Sequence, residues 1–202
     1  MRILGLCLML CACTGSETLV RPDTLRTTCG ELAAREDQRF EVSDACFRAV
    51  GTTPASVLRL DFTYLGASAQ AVPLASGELR QQVGLKLRAQ DTCNVVYVMW
   101  HIAPAPRIEV SVKHNPGMSE HVQCRDAGYT FIKGDAVHAA PIITSRSSHS
   151  LQAQLDGTAL RVRADDQLVW QGQLPSAALL LAGPSGVRSD NVHLLMQLHA
   201  KL

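Results

Sequence analysis

Two pairs of adjacent side chains, Trp100-His101 and Lys113-His114, are the best candidates in this sequence for contacting a ligand. Trp100 and His101 come near the end of the most apolar predicted strand, and Lys113 and His114 end the next strand, its expected neighbour. Aromatic rings can stack on sugar faces, and imidazole and ammonium groups can hydrogen-bond to hydroxyl groups. The pattern also fits a core tryptophan beside a hydrogen-bonded histidine at a strand end. We therefore expect a ligand site here, with that structural role as the alternative.

The carboxylates offer no matching pair for glycosidic hydrolysis. Glycosidases place two carboxyl groups across a cleft, one of which has a raised pKa and acts as the acid. The sequence has no Glu-x-Asp-x-x-Glu strand motif, and Asp61 and Glu109 are expected on solvated strand faces. Residues 145–150 (SRSSHS) put a serine beside a histidine without the Gly-x-Ser-x-Gly turn that presents a nucleophile. Hydrolysis is disfavoured and stays an alternative.

Acidic residues at predicted turns could supply oxygen ligands to a calcium ion. Asp165, Asp166, Asp190 and Asn191 are the candidate ligands. Turn chemistry explains the same residue types equally well, because Asp and Asn stabilise tight turns. The seven histidines have no His-x-x-x-His or His-x-His spacing that would indicate zinc. We expect no cofactor, with calcium as the alternative.

The elements that must position these residues are strands. Apolar and polar residues alternate with a period of two through 151–198, and turn residues interrupt the alternation at Asp156-Gly157 and Asp165-Asp166. Such alternation is typical of antiparallel strands with one buried face. Residues 95–102 (VVYVMWHI) are apolar on both faces, as expected of a central strand that is covered on both sides. About ten to twelve short strands without a long helix predict an all-β, antiparallel sandwich.

Length and charge limit the possible partners. A chain of 202 residues with 47% hydrophobic residues is long enough for one domain with a sizeable core. The formal net charge of +1 and the lack of basic runs interleaved with aromatic residues give no case for nucleic acid. We therefore expect no nucleic-acid partner.

The first residues are typical of an export signal. Met1-Arg2 is a short positive segment, and residues 3–10 form an apolar run that is too short to span a bilayer. Leu10-Cys11-Ala12-Cys13 resembles the bacterial lipobox, which implies that Cys13 is lipidated and holds the protein at a membrane. Thr14 after Cys13 indicates the outer membrane by a sorting rule of enteric bacteria. The alternative is an ordinary secretory signal with no lipid on Cys13.

The remaining cysteines predict two disulfides. Cys29, Cys46, Cys93 and Cys124 are an even number in an exported chain, and they allow three pairings. Their order favours Cys29–Cys46 and Cys93–Cys124. A four-thiolate zinc site is the alternative, but the chain contains no Cys-x-x-Cys among these four.

Two stretches of the C-terminal half are similar to a known superfamily. Residues 160–172 (LRVRADDQLVWQG) resemble the recurrent hairpin of concanavalin A-like, laminin-G-like domains, and residues 183–191 (GPSGVRSDN) resemble the approach to their final strand. The resemblance implies a jelly-roll β-sandwich. Bacterial members of this kind include periplasmic proteins described as keto-disaccharide hydrolases or as domains of unknown function. Because the superfamily is functionally broad, the fold does not give the activity.

These features predict a lipoprotein of the bacterial cell envelope with three parts: a signal peptide (1–12), a polar tether (13–28) and a single sandwich domain (29–202). We expect the domain to be a non-catalytic binding module for a glycan or for another envelope protein. One alternative is a carbohydrate-active hydrolase that acts on oxidised disaccharides. A purely structural envelope protein is the other.

Overall fold

A computed structural model describes residues 16–74 and 76–202. The predicted signal peptide and the lipidation site Cys13 lie outside the described residues. The described chain forms sixteen strands, numbered in chain order: β1 (Thr18–Val20), β2 (Arg26–Cys29), β3 (Ala33–Ala34), β4 (Phe40–Val42), β5 (Cys46–Val50), β6 (Val57–Ala67), β7 (Gln81–Leu87), β8 (Val95–Ala103), β9 (Arg107–Lys113), β10 (Tyr129–Phe131), β11 (Ala136–Val137), β12 (Ser148–Asp156), β13 (Ala159–Ala164), β14 (Gln167–Gln173), β15 (Gly186–Asp190) and β16 (Val192–Lys201).

Helices are short. One four-residue α-helix, α1 (His121–Cys124), and three 3₁₀ turns (Pro22–Thr24, Glu36–Gln38 and Ser176–Leu180) connect strands. Within residues 16–74 and 76–202, no helix is long and apolar enough to cross a membrane.

The strands form two antiparallel sheets. Sheet 1 has the order β11-β14-β13-β12-β6-β16-β4-β3, and β1 also pairs with β16; sheet 2 has the order β10-β9-β8-β7-β15-β5-β2. Neighbours such as β7 and β15 are far apart in sequence, so the sheets depend on long-range pairing. The all-β antiparallel prediction is confirmed.

Period-two alternation builds the core between the sheets. In sheet 2, Val83 and Leu85 of β7 and Val98 and Trp100 of β8 are fully buried and face sheet 1. In sheet 1, Leu60 of β6 packs in the same core. Successive strand residues point to opposite faces, so the intervening residues of β7 and β8 face outward from sheet 2.

The predicted Asp turn between β13 and β14 is a two-residue hairpin loop. Ala164 pairs with Gln167, and Asp165 and Asp166 between them have φ values of 50° and 62°. Two consecutive positive φ angles characterise the type I′ turn, whose twist matches that of a hairpin. Aspartate tolerates this backbone conformation better than most residues do, which explains the Asp-Asp pair.

The domain begins earlier in the chain than the predicted tether allows. Residues Thr18–Val20 pair with β16, and Arg26–Cys29 pair with β5, so the segment before Cys29 belongs to both sheets. Pro22 and Leu25 are buried between these pairings and hold the segment against the sandwich. The segment lacks apolar periodicity because its strands are edge strands of only three and four residues.

Both predicted disulfides are present. Cys29 is bonded to Cys46, and Cys93 is bonded to Cys124. The second bridge joins Cys93, just before β8, to Cys124 at the end of α1, which is 31 residues later in the chain. It thereby holds the segment that follows β9 against the outer face of sheet 2.

Removing the Cys93–Cys124 bridge should lower the free energy of unfolding by about 3 kcal/mol, because the unfolded chain regains the entropy of a long open loop. Urea denaturation of the Cys93→Ser/Cys124→Ser double variant measures this loss. The matching Cys29→Ser/Cys46→Ser variant opens a loop of 17 residues and should lose slightly less. A Cys93/Cys124 variant as stable as the parent would contradict the expectation.

Candidate ligand cleft

The outer face of sheet 2 carries a cleft of about 630 Å³. Strands β5, β7, β8, β9, β10 and β15 form its floor. Leu74 and Ser76 border it, as do His121 and Asp126 from the region of the Cys93–Cys124 bridge. The charged and polar side chains that line it include Arg48, Arg80, Gln82, Lys86, Glu109, Ser111, Lys113 and Arg188. We refer to this depression as the cleft.

Three aromatic rings form a row on the floor. The ring centroids of Tyr97 and Tyr129 are 6.2 Å apart, and those of Tyr129 and Phe131 are 6.3 Å apart, with interplanar angles of 23° and 15°. Cross-strand pairing places Tyr129 opposite Lys113 and Phe131 opposite Ser111. The row starts at buried Tyr97 and ends at Phe131, which is 67% exposed. It therefore offers an apolar surface that is open to a flat ligand.

Two guanidinium groups share one buried carboxylate beside these rings. Asp190 is 1% exposed; its Oδ1 lies 2.5 Å from Arg48 Nη2, and its Oδ2 lies 3.0 Å from Arg188 Nε. Gln82 Nε2 also donates to Asp190 Oδ2 at 2.6 Å. Burial alone would raise the pKa of Asp190, but Arg188 and Arg48 lower it below the ordinary value. The carboxylate thus stays ionised, and both of its oxygens already accept hydrogen bonds from these three side chains.

Arg188 also contacts the aromatic row. Its guanidinium carbon lies 4.9 Å from the centroid of the Tyr97 ring, within the range of a cation–π contact. Burial works against the charge on Arg188, but Asp190, Tyr97 and Tyr129 outweigh it and raise the pKa. The side chain is therefore a fixed cation.

Lys86 is buried among cations. It is 4% exposed, pairs across β7 and β8 with Tyr97, and has no hydrogen bond or ion pair within the described chain. Burial and, to a smaller extent, the charges of Arg48, Arg188 and Arg26 together lower its pKa to about 8. An amine in this position is costly to the folded state when it is charged.

Lys113, by contrast, has partners. Its Nζ donates to the Arg125 carbonyl at 2.6 Å and to the Thr92 carbonyl at 3.3 Å. It also lies 5.2 Å from the centroid of the Tyr129 ring. These contacts tie β9 to the loops on one side of the cleft and make Lys113 part of the wall.

Glu109 also lines the cleft, toward the other end of β9 from Lys113. Arg107 Nη2 lies 3.1 Å from Glu109 Oε2, and His101 Nε2 lies 3.4 Å from Glu109 Oε1. Burial favours the neutral acid, but His101 and Arg107 outweigh it and lower the pKa of Glu109 to about 2. Burial lowers the pKa of His101 itself, against the opposing effect of Glu109.

The four sequence-predicted ligand residues occupy different places. Lys113 lies in the cleft wall, and His101 is buried beside Glu109 on the same outer face. Trp100 points the other way into the core, where its ring meets Phe62 edge-to-face at 5.8 Å. His114 donates its backbone N–H to Gly128 O beyond the end of β9. The structure therefore does not bring the four side chains together. Trp100 has the core position that was the alternative in the sequence analysis.

The four predicted calcium ligands also separate. Asp165 accepts from His149 and Ser150, and Asp166 pairs with Arg59, all on sheet 1. Asp190 is buried in sheet 2, where it is paired with Arg48 and Arg188. Asn191 donates to Val72 O and Arg80 O and accepts from Val72 N. Residues 16–74 and 76–202 contain no group of three or more His, Cys, Asp or Glu that could hold a metal ion.

A second depression, of about 460 Å³ on sheet 1, contains part of a Ser-His-Asp chain. Ser147 Oγ lies 2.6 Å from His149 Nε2, and His149 Nδ1 lies 2.8 Å from Asp165 Oδ2. Ser147 Oγ also donates to Thr144 O at 2.6 Å. Thr144 N–H in turn donates to Ser147 Oγ at 3.1 Å. The serine hydroxyl is thus bonded within its own turn, and the chain of contacts closes the turn before β12.

Comparisons with known proteins establish the fold. No protein-family model and no curated protein sequence matches the chain. The carbohydrate binding module CBM66 from Bacillus subtilis is a similar solved structure, with a TM-score of 0.58 and 12% identity over 86% of this chain and 91% of that chain. This similarity confirms the predicted jelly-roll sandwich; the identity is too low to indicate more than the fold.

Two further solved structures have the same architecture. One is reported with endo-acting O-glycanases expressed by members of the human gut microbiota, with a TM-score of 0.52 and 9% identity over 91% of this chain and 95% of that chain. The other is LamAcat from Zobellia galactanivorans, with a TM-score of 0.51 and 9% identity over 92% of this chain and 94% of that chain.

Replacing Lys86 with methionine should stabilise the fold by about 2 kcal/mol at pH 7, because a similar apolar chain replaces a buried amine without a partner. The folded-state pKa of Lys86, about 8, lies below its ordinary value of 10.5. The cost of the amine is therefore fully present below pH 8 and disappears as the pH rises toward 10.5. Urea denaturation at pH 7 and pH 10 measures the difference between variant and parent at each pH.

Lys113→Met is the matched control. It removes an amine that has two carbonyl partners, so it should destabilise the protein. A Lys86→Met variant that is less stable than the parent at pH 7 would show that Lys86 has a structural role.

Proposed function

We propose that the protein is a non-catalytic, glycan-binding module of the bacterial cell envelope and that the cleft on sheet 2 holds the glycan. The observation that carries the proposal is the row of Tyr97, Tyr129 and Phe131 beside buried polar side chains. Sugar rings combine apolar faces with hydroxyl edges. They are bound by aromatic surfaces flanked by hydrogen-bonding groups.

The dimensions of the cleft support this ligand class. Its volume of about 630 Å³ lies in the range of small-ligand sites. Phe131 at the open end and Tyr97 at the buried end place aromatic surface along the floor, which suits an extended ligand. The names of two similar folds, a carbohydrate binding module and an O-glycanase, favour the same class.

The charge states of the carboxylates favour binding over hydrolysis. A glycosidase acid must be protonated near neutral pH, which requires a raised pKa. Glu109 and Asp190 instead have lowered pKa values because cations contact both. Both carboxylates therefore stay ionised, and neither has the raised pKa of a glycosidase acid.

Attachment to the envelope is the second half of the proposal. The apolar run before Cys13 and the lipobox-like LCAC support a lipid on Cys13. The two disulfides are consistent with export to an oxidising compartment. A lipid anchor would hold the module at the outer membrane, where it could meet envelope glycans.

Truncation of Phe131 tests glycan binding. Phe131→Ala should weaken the binding of a glycan found on an array by about tenfold, because the variant loses one stacking surface worth about 1.4 kcal/mol. Since Phe131 is exposed, the unfolding midpoint should stay the same. Isothermal titration calorimetry of the full chain measures both the affinity and the enthalpy.

The control is Leu180→Ala, which shortens an exposed apolar side chain on the 3₁₀ turn Ser176–Leu180, away from the cleft. It should bind like the parent. Equal affinities of Phe131→Ala and the parent for every array ligand would contradict a site in the cleft.

Substitution of Cys13 tests the anchor. The parent should incorporate radiolabelled palmitate and sediment with membranes, whereas Cys13→Ala should do neither, because the thiol is the acceptor of the lipid. Cys11→Ala is the matched control and should still be labelled. Palmitate on Cys13→Ala would show that Cys13 is not the attachment site.

A further inference from the structure

We propose that the glycan bound in the cleft is acidic and that Lys86 pairs with its negatively charged group, a carboxylate or a sulfate ester. This inference rests on the proposed glycan-binding function and names the chemical class of the ligand. The structure shows a buried cation at the floor of the cleft without a partner within the described chain.

An amine without an anion is unusual at this burial. Lysine is almost never fully buried unless it is paired, because the interior does not solvate the charge. Lys113, only a few residues away across the sheet, shows the usual solution, since two carbonyls accept its protons. Lys86 has no such acceptor, although it lines the same cleft. The Lys86 ammonium opens into the cleft, where a bound ligand can supply its acceptor.

The charges around Lys86 leave the floor positive. The nearby carboxylate, Asp190, is shared by Arg48 and Arg188, so this trio keeps one net positive charge. Lys86 adds a second. The whole protein has a formal net charge of only +1, so the cleft concentrates positive charge locally. An incoming anion would find two cationic groups there, while the carboxylates that line the cleft, Glu109 and Asp126, lie near Arg107 and Lys113.

A second group without a partner indicates a sugar rather than a small inorganic anion. Gln82 Nε2 donates to Asp190, while its buried Oε1 has no hydrogen-bond partner within the described chain. An acceptor of this kind requires a donor such as a hydroxyl group. Gln82 and Lys86 lie four residues apart on β7, about 13 Å along a strand. One ligand that reaches both would need an acidic group, a hydroxyl group and more than one sugar ring.

Matched pairs of oligosaccharides test the proposal on the full chain. Tri-galacturonic acid is compared with its methyl ester, and a sulfated oligosaccharide with its desulfated form, so that each pair shares its sugar backbone and differs at the acidic group. The parent should bind an acidic member at least tenfold more tightly than its neutral partner, and added salt should weaken that binding. Lys86→Met should remove the preference between the two members of each pair.

The pH dependence gives an independent readout. The charged and titratable groups around Lys86 are Arg26 of β2, Arg48 of β5, Arg188 and Asp190 of β15, Tyr97 of β8, Tyr129 of β10 and Lys113 of β9. Since the pKa of Lys86 is about 8, affinity for the acidic member should fall roughly tenfold between pH 7 and pH 9. Lys86→Arg stays charged over this range, so its affinity should stay nearly constant.

The possible results separate this inference from the proposed function. If acidic and neutral members bind equally and Lys86→Met changes nothing, while Phe131→Ala still weakens binding, the ligand is a neutral glycan and the inference is wrong. If Phe131→Ala has no effect on any ligand, or no member binds, the glycan site itself is wrong, and the inference fails with it. A carboxylate preference and a sulfate preference both support the inference and identify the acidic group.

Discussion

The ion pairs of Asp190 allow two arginines to lie on a covered face of sheet 2. Arg48 and Arg188 are on adjacent strands and directly opposite each other, so without the shared carboxylate their charges would repel across the β5–β15 pairing. With the carboxylate in place, Arg188 can lie against Tyr97, and Tyr97 can stack on Tyr129. The arrangement of the cleft floor thus depends on one buried acid. Loss of that acid would leave two half-buried cations without an ionic partner, which is strongly destabilising.

The strands were predictable because apolar and polar residues alternate along them in step with the buried and exposed faces. The apolar run at residues 95–102 coincides with β8 (Val95–Ala103), and the alternation through 151–198 with β12, β13, β14 and β16. The Asp165-Asp166 turn followed from residue type alone. The edge strand Thr18–Val20 was not predictable, because three residues with one pairing partner leave no periodic signal.

The cleft was only partly predictable, for a geometric reason. Alternation places Lys86 on the outer face of β7, and outer faces are ordinarily solvated. In this fold Lys86 is nevertheless buried, and residues distant in sequence, such as Leu74 and His121, line the same cleft. Sequence neighbours such as Trp100 and His101 point to opposite faces of a strand, and a site that used both side chains was geometrically inconsistent. Residues two apart on one strand, such as Ser111 and Lys113, share a face and both line the cleft.

The pairing of Thr18–Val20 with β16 determines how far the domain could stand from a lipid on Cys13. Only four residues separate Cys13 from Thr18, so the linker could extend no further than about 18 Å, about a third of the reach of a tether that runs to residue 28. With so short a linker, the domain would stay within a thin layer above the bilayer. The effective concentration of the cleft would then be high for glycans at the membrane surface and low for those further out.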